Sequence, residues 1–248
     1  MPPATRRSVQ APRPRPGRSP VNEQKYAEIV AVAGRLFAEK GFAGTSLTDI
    51  AVEVGVLKGS LYHYITSKED LLAEVVRIGQ LGQSENLQLV AHFDGEPLEQ
   101  LVAFAYGHVR LNATPERLER GNVFLRDGEN LQPARREAFI ARRDEYERFL
   151  RSVVVAGQRA GLLDPEADPR MASFGVLGVV NSFSRWYKPD GSLTAVQIAR
   201  EFAAFALSAV RLREGDAEGR FDLVDRVVAE CERFISQNDL LLDLQNTG

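Results

Sequence analysis

Residues 46–65 carry the strongest structural signal in the sequence, because they predict two short helices joined by a tight turn. Ser46 is suited to cap the first helix, and Asp49 extends this cap to a pattern like a capping box. Gly55 stands where that helix must end, and glycine readily adopts the positive φ angle of such a turn. The apolar side chains expected to pack between the helices are those of Ile50, Ala51, Val54, Val56 and Leu61. The segment therefore predicts a helix-turn-helix.

The start of the second predicted helix exposes groups that form hydrogen bonds with nucleic acids. The residues left facing outward are Lys58, Gly59, Ser60, Tyr62 and His63. Because a helix-turn-helix presents the N-terminal residues of its second helix to the major groove, this pattern favours a DNA-binding segment. Glycine-containing turns also join helices in proteins that do not bind DNA. In that alternative His63 is only solvated, and Tyr62 packs in the core together with Tyr64.

Flanking helices complete the predicted N-terminal domain. Asn22 is suited to cap an upstream helix that Gly41 would end, and Ser67 is suited to cap a downstream helix that opens at Lys68. The apolar positions of the upstream helix are Ile29, Ala33, Leu36 and Phe37. We therefore expect a three-helix DNA-binding domain over residues 21–67, with the turn between its last two helices.

Taken together, these residues resemble the N-terminal domain of the tetracycline repressor (TetR) family. The resemblance runs from Ile29 to Leu72 and rests on Leu36-Phe37, Gly41-Phe42, Thr45-Ser46, Asp49-Ile50-Ala51, Gly55-Val56, Lys58-Gly59-Ser60-Leu61-Tyr62, Tyr64 and Ser67-Lys68-Glu69-Asp70-Leu71. Two positions depart from the family pattern. Leu57 replaces the small hydroxyl residue that usually caps the recognition helix, and Ile65 replaces the usual phenylalanine, which changes packing.

The resemblance implies contacts with a double-stranded DNA operator. At the start of the recognition helix, it implies that Lys58, Gly59 and Ser60 lie near bases and backbone. It further implies that Tyr62 and His63 touch phosphates or base edges. The implied sugar-phosphate contacts of the preceding helix are Thr45, Ser46 and Thr48, and the implied phosphate-binding lysine of the next helix is Lys68.

Charge is distributed unevenly along the chain. Its 248 residues carry a net charge of −3. Residues 1–70 hold 10 basic and 7 acidic residues, a balance of +3, whereas the rest holds 21 and 27, a balance of −6. Such a division suits a protein that meets DNA at one end. Residues 1–20, rich in proline and arginine, predict a disordered arm that adds phosphate contacts or enters a minor groove, the alternative being a tail without effect.

Several other classes of protein are not supported by the sequence. It has no apolar run of roughly 18 residues and no secretory signal, so we expect a cytoplasmic protein without a membrane partner. Cys231 is the single cysteine, which excludes an internal disulfide. No nucleophile motif, phosphate loop or metal-ligand spacing is present, so we expect no enzyme activity, catalytic residue, metal or cofactor.

Residues 68–248 predict a helical ligand-binding and dimerisation domain, which makes the whole chain all-α. The predicted helices cover residues 68–91, 97–112, 115–127, 133–160, 168–187, 192–213 and 221–237. Apolar residues occupy more than one face of the helices at 168–187 and 192–213, which indicates burial on both sides. Since TetR-like proteins dimerise through these helices, we expect a homodimer. The alternative is a monomer in which the pair is fully buried.

The segment from Asn181 to Gly191 more weakly resembles TetR-like repressors that respond to acyl-CoA thioesters, which carry an Asn, a Trp-Tyr pair and a Pro-x-Gly turn here. The candidate ligand-binding residues are Phe104, His108, Phe124, Tyr146, Phe174, Asn181, Arg185 and Trp186. Further arginines suited to a CoA pyrophosphate are Arg110, Arg117, Arg120 and Arg126. The alternative is that most of these aromatics are core residues and that the arginines are solvated.

The residues and the resemblance together predict a repressor that a small-molecule effector controls. A small apolar or acyl-CoA-like molecule would enter the larger domain, move the helix beginning at Lys68 and release a palindromic operator. The alternative is a small-molecule-binding adaptor that keeps the helix-turn-helix scaffold but binds no operator. Leu57 at the cap of the recognition helix favours that alternative.

Overall fold

The computed structural model describes residues 20–210 and 219–241, and every regular element within those two ranges is helical. The predicted arm lies outside the described residues except for Pro20, and so does the end of the helix predicted over 192–213. The α-helices are α1 (Pro20–Gly44), α2 (Leu47–Val54), α3 (Lys58–Leu61), α4 (Lys68–Gly79), α5 (Leu81–Ala91), α6 (Pro97–Leu111), α7 (Pro115–Asp127), α8 (Pro133–Arg159), α9 (Pro169–Ser182), α10 (Ala195–Ala209) and α11 (Arg220–Gln237). Short 3₁₀ helices follow α7 at Gly128–Asn130 and α9 at Phe183–Arg185.

The first helix begins earlier than predicted. α1 starts at Pro20, so Asn22 lies in its first turn and does not cap it. Proline is favoured in a first turn because its nitrogen has no hydrogen to leave unpaired. Near the other end, Gly41 has φ 79° and ψ 159°, which interrupts the helix where the sequence predicted that it would end.

An apolar core joins α1, α2, α3 and α4. It also takes in side chains from α7 and from the start of α8, among them Val123, Phe124 and Phe139. The α4 residues buried in this core are Leu71, Leu72, Val75 and Val76. α4 is therefore packed against the helix-turn-helix while it leads into the larger core. The domain boundaries drawn from the sequence stay predictions.

The helix predicted over 68–91 is in fact two helices, α4 and α5, which meet at Gln80. Gly79 and Gly82 flank this junction, and glycine lowers helix propensity. Both glycines also lie close to neighbouring groups. A β-carbon at Gly82 would come within 2.4 Å of the Asn112 side-chain oxygen.

α6 is the centre of the larger core, and nearly every residue from Leu101 to Leu111 is buried. α5, α8, α10 and α11 pack around it. The approach of α5 is so close that a β-carbon at Gly107 would lie 2.1 Å from Oδ1 of Asn86. At the periphery, the guanidinium of Arg110 and the hydroxyl of Tyr106 both donate to Glu232, which ties α6 to α11.

Three predicted features in the last helices need correction. α9 ends at Ser182 and continues only as the 3₁₀ helix, so Arg185 and Trp186 are not α-helical. α10 begins at Ala195, because Thr194 forms a capping box with Gln197. Phe221, in the last helix predicted, lies in the first turn of α11 and is 62% exposed, whereas Val224 is buried.

Candidate DNA-binding surface and ligand cavity

The predicted turn between α2 and α3 is present in the structure. Oγ of Ser46 accepts a hydrogen bond from the backbone N–H of Asp49 at 3.2 Å, and the Asp49 carboxylate accepts one from the backbone N–H of Ser46 at 2.8 Å. The Ser46 hydroxyl also donates to that carboxylate, at 2.7 Å, and the two hydrogen bonds that the carboxylate accepts from Ser46 lower the pKa of Asp49. Gly55 adopts the left-handed conformation, with φ 72°, and ends α2. Leu61 is fully buried against the helices that precede it.

The recognition segment is one helical turn followed by further turns. α3 spans only Lys58–Leu61, and its cap residue, Leu57, makes no side-chain hydrogen bond. Beyond it, the backbone N–H of His63 donates to the carbonyl of Ser60 at 3.2 Å, and that of Tyr64 donates to Leu61 at 2.8 Å. The backbone therefore continues in hydrogen-bonded turns through the polar residues that follow α3.

Most of the residues proposed to contact DNA face solvent. Tyr62 is 54% exposed, so it does not take the core position that was the alternative prediction for it. Tyr64 packs against the N-terminal core. Ser60 is half-buried. The remaining exposed members of the predicted set are Ser46, Thr48, Lys58, Gly59 and His63.

The side chains of Thr45 and Lys68 form hydrogen bonds within the protein. Oγ1 of Thr45, which is buried, donates to the carbonyl of Gly41 at 2.9 Å. The Lys68 ammonium donates to the carbonyls of Phe42 and Thr45, both at 2.8 Å, and lies 4.2 Å from the centre of the Phe42 ring. Because an ammonium has three N–H donors, one N–H of Lys68 is not used by these two hydrogen bonds. The predicted DNA contacts of Thr45 and Lys68 stay predictions.

A cleft of about 660 Å³ opens between α6, α7, α8 and α9. A smaller adjoining cavity shares His108, Phe124 and Asn181 with it. The predicted ligand residues that line the cleft are His108, Phe124, Tyr146, Phe174 and Asn181. The fold thus brings together side chains from four helices that the sequence could only nominate separately.

The other predicted ligand residues do not line this cleft. Phe104 is fully buried behind it, with its ring centre 4.7 Å from that of Tyr146. Trp186 is 52% exposed and stacks on Phe202, with ring centres 6.0 Å apart. Arg185 is exposed in the 3₁₀ helix after α9. Any role of these residues in ligand binding stays a prediction.

Buried polar side chains form the floor of the cleft. The side-chain amide of Asn86 donates to the carbonyl of Phe104 at 2.9 Å and to the hydroxyl of Tyr146 at 2.6 Å. That hydroxyl lies 3.0 Å from Nδ1 of His108. Burial lowers the pKa of His108 to about 4, although a hydrogen bond with Asn181 acts in the opposite direction, so the imidazole is neutral at pH 7. Burial also raises the pKa of Tyr146.

Charged residues that were not predicted from the sequence surround the mouth of the cleft. They are Arg143, Asp144, Glu147, Arg148, Arg151 and Arg170. Arg151 donates to Glu147 at 3.0 Å, and the other carboxylate oxygen of Glu147 is buried without a hydrogen-bond partner. Residues 143, 147 and 151 recur at helical spacing on α8, a signal that was available in the sequence.

The arginines first nominated for a CoA pyrophosphate lie elsewhere or have protein partners. Arg110 pairs with Glu232 and Arg117 pairs with Glu85. Arg126, on α7, donates to the backbone carbonyls of Phe37 and Ala38 in α1, the second at 3.2 Å. α7 therefore connects the cleft, which Phe124 lines, with the helix that supports the helix-turn-helix.

The outer surface of α9 and α10 is apolar and exposed. Met171 is 65% exposed and Phe205 is 56% exposed. A β-carbon at Gly175 or Gly178 would meet nothing within 4 Å, so α9 presents a smooth strip between its larger side chains. This is the face whose burial the sequence assigned to a partner subunit.

Other kinds of site find no support in the part of the chain that the structure covers. Within residues 20–210 and 219–241, no cluster of three or more His, Cys, Asp or Glu residues is arranged to hold a metal ion. No described helix is both long and apolar enough to cross a membrane.

Two protein-family models match the chain. Residues 29–75 match the family described as bacterial regulatory proteins, tetR family. Residues 94–210 match the family described as tetracyclin repressor-like, C-terminal domain. Together they span the helix-turn-helix, most of α4 and the four helices α6 to α9 that supply most of the cleft lining.

Similar proteins include named repressors. The chain is 26% identical over 190 residues to the HTH-type transcriptional repressor KstR2 of Mycolicibacterium smegmatis, with 76% of this chain and 92% of the relative covered. Among solved structures, AibR in complex with isovaleryl coenzyme A and operator DNA is 31% identical, with a TM-score of 0.66 and coverage of 73% of this chain and 97% of AibR. KstR2 of Mycobacterium tuberculosis is 25% identical, with a TM-score of 0.70 and coverage of 75% and 95%.

Proposed function

Because this chain belongs to the TetR family of bacterial regulatory proteins, we propose that it is a ligand-responsive transcriptional repressor whose operator is palindromic. The observation that carries the proposal is the exposed polar segment after α2, held by an intact turn and packed on the body that contains the cleft. One chain thus combines a surface suited to DNA with a cavity suited to an effector.

The segment that begins with α3 would recognise DNA. Lys58 supplies positive charge for phosphate, and Tyr62 and His63 supply hydrogen-bonding groups for phosphates or base edges. Ser46 and Thr48 are exposed at the start of α2, where the sugar-phosphate backbone would pass. AibR, a protein of similar fold, has been crystallised with operator DNA, which supports a DNA-binding role for this chain.

Two copies of the chain act together on one operator. The apolar surface of α9 and α10 is suited to pack against its twin across a two-fold axis, with Gly175 and Gly178 allowing close approach. A two-fold dimer presents two recognition segments, spaced by about 34–36 Å or a multiple of it on a palindromic site.

The effector is a small apolar or acyl-CoA-like molecule. The cleft has aromatic walls and a mouth rich in arginine, a combination that fits an apolar chain attached to a phosphate-bearing group. The binding of isovaleryl coenzyme A by AibR supports the same ligand class.

Effector binding would reach the DNA-binding segment through α7 and α4. Phe124 lines the cleft and also belongs to the N-terminal core, and Arg126 holds two carbonyls of α1. A ligand that pushes α7 outward would move α1 and α4 and change the distance between the two recognition segments. It releases DNA only if it binds this second arrangement more tightly than the DNA-bound one.

The DNA-binding part is tested by selecting duplexes from a random pool and titrating them by fluorescence anisotropy at several salt concentrations. Lys58→Ala should weaken binding and reduce the slope of log affinity against log salt by about 0.9 for each phosphate that the lysine neutralises, or about 1.8 for the dimer. Lys188→Ala, in the exposed loop between α9 and α10, is the matched control and should leave the slope unchanged. A wild-type slope for Lys58→Ala would contradict the proposed contact.

The effector part is tested by adding short, branched and long acyl-CoA thioesters to the protein–DNA complex. At least one should release the duplex at a concentration where free coenzyme A does not. If none does, the acyl-CoA class is wrong and only the more general assignment to a ligand-responsive repressor is left.

A further inference from the structure

Gly121, in the middle of α7, is not required to be glycine by the backbone or by packing. Glycine weakens a helix interior relative to alanine, so its presence there needs a reason. Its backbone is helical, without a positive φ angle. A β-carbon at Gly121 would meet no heavy atom of another helix within 4 Å, whereas one at Gly82 would lie 2.4 Å from Oδ1 of Asn112. Gly121 therefore leaves open space beside α7.

That space belongs to the smaller cavity that adjoins the cleft. Gly121 lines this cavity together with Leu118 and Leu125, which lie one turn before it and one turn after it on α7. Residues three or four positions apart project from the same face of a helix, so a side chain at position 121 would point into the cavity between the two leucines. The absence of a side chain at Gly121 thus enlarges the cavity.

The cavity suits a small apolar group. Leu118, Leu125 and Phe183 supply apolar lining. Two of the polar side chains in the lining already have partners in the protein, since Arg117 pairs with Glu85 and the amide of Asn112 donates to the backbone carbonyl of His108 at 2.7 Å. The volume is about 40 Å³. Because one water molecule in the liquid takes about 30 Å³, the cavity has room for only the last few atoms of a ligand.

We infer that the smaller cavity receives the end of the effector's acyl chain, and that Gly121 determines how long an acyl chain the protein accepts. The cleft and the smaller cavity share His108, Phe124 and Asn181, so an apolar chain that lies in the cleft can continue towards Gly121. The inference rests on the proposed function and adds a specificity-determining residue to it. It assigns Gly121 no part in binding the phosphate groups.

The experiment measures affinity as a function of acyl-chain length. Straight-chain acyl-CoA thioesters from butanoyl-CoA to hexadecanoyl-CoA are titrated by calorimetry against the full-length dimer. For the wild-type protein, each added methylene should tighten binding about fourfold until the smaller cavity is full, after which the affinity should stop rising. Gly121→Val places an isopropyl group in the cavity. The rise should then end about two carbons earlier, and the thioester that fills the wild-type cavity should bind at least about tenfold more weakly.

Two further variants separate this role from a structural one. Ser152→Val adds a β-branched side chain to the exposed side of α8 and should bind every thioester as the wild-type protein does. Gly121→Ala should raise Tm by about 2–4 °C, because alanine favours the helix and its β-carbon would meet no neighbouring helix. A lower Tm for Gly121→Ala would mean that packing requires the glycine, and it would overturn the inference.

Failure of the inference can be distinguished from failure of the proposed function. An identical length limit for the wild-type protein and Gly121→Val would overturn the inference and leave acyl-CoA effectors in place. If no thioester binds, free fatty acids of the same lengths are titrated against both proteins. A shorter limit for Gly121→Val with the acids would support the role of Gly121 but exclude thioesters as effectors. If neither series binds the wild-type protein, the effector class and the role of Gly121 are both wrong.

Discussion

Replacing Tyr146 by phenylalanine should destabilise the protein without changing the shape of its core. The substitution removes only the hydroxyl that joins Asn86, at 2.6 Å, to His108, at 3.0 Å. Each buried hydrogen bond contributes about 1 kcal/mol to stability, so removing both should lower the free energy of unfolding by about 2 kcal/mol. If no water enters, the decrease should exceed that figure, because an N–H of Asn86 and Nδ1 of His108 would both be left buried without a partner.

The measurement is thermal unfolding followed by circular dichroism at a fixed protein concentration. For a chain of this size, about 2 kcal/mol corresponds to a fall in Tm of about 4–8 °C. Tyr62→Phe, which removes the hydroxyl of an exposed tyrosine, should leave Tm unchanged. An unchanged Tm for Tyr146→Phe would refute the reasoning, since it would mean that the buried hydroxyl carries no net stabilising hydrogen bonds.

Other perturbations test separate parts of the account. Deleting residues 1–20 should weaken DNA binding and reduce its salt slope; an unchanged slope would mean that the arm makes no phosphate contact. Ser46→Ala removes the capping box of α2 and should cost about 1 kcal/mol in urea unfolding, whereas Ser192→Ala in an exposed loop should cost nothing measurable. Because the folded pKa of His108 is about 4, below its unfolded value near 6.5, stability should fall as the pH decreases from about 6.5 towards 4. His108→Asn should flatten that part of the pH profile, and an identical profile would contradict the buried, neutral imidazole.

Local chemistry made the N-terminal part predictable from the sequence. Ser46, Asp49 and Gly55 act on their immediate neighbours, so their spacing alone specified the cap and the turn. α7 is bounded by Thr114 and Pro115 at one end, and it spans the predicted residues. In such places the residue that determines the structure lies within a few positions of the structure it determines.

The cavity was less predictable because it depends on contacts between distant segments. Asn86 was not nominated, although it is one of the buried polar side chains at the floor of the cleft, because its partners Phe104 and Tyr146 are 18 and 60 residues away. Trp186 was predicted to bind ligand because of its aromatic chemistry. In the structure α9 ends at Ser182, and Trp186 lies exposed on the outer surface. The same holds for Lys68, whose interaction with Phe42 and Thr45 follows from the way α1 and α4 meet.

Site-specific cross-linking tests the central claim most directly, because it asks whether the segment from Lys58 to His63 enters the DNA groove in two copies. A photoreactive benzoylphenylalanine replaces Tyr62, and the dimer is irradiated on its selected duplex. The account predicts adducts at two positions related by the symmetry of the palindrome, and none when the same group replaces Phe221, which is exposed on α11. Failure to bind any duplex at low ionic strength, or cross-links from position 221 but not from position 62, would contradict it and favour an adaptor without an operator.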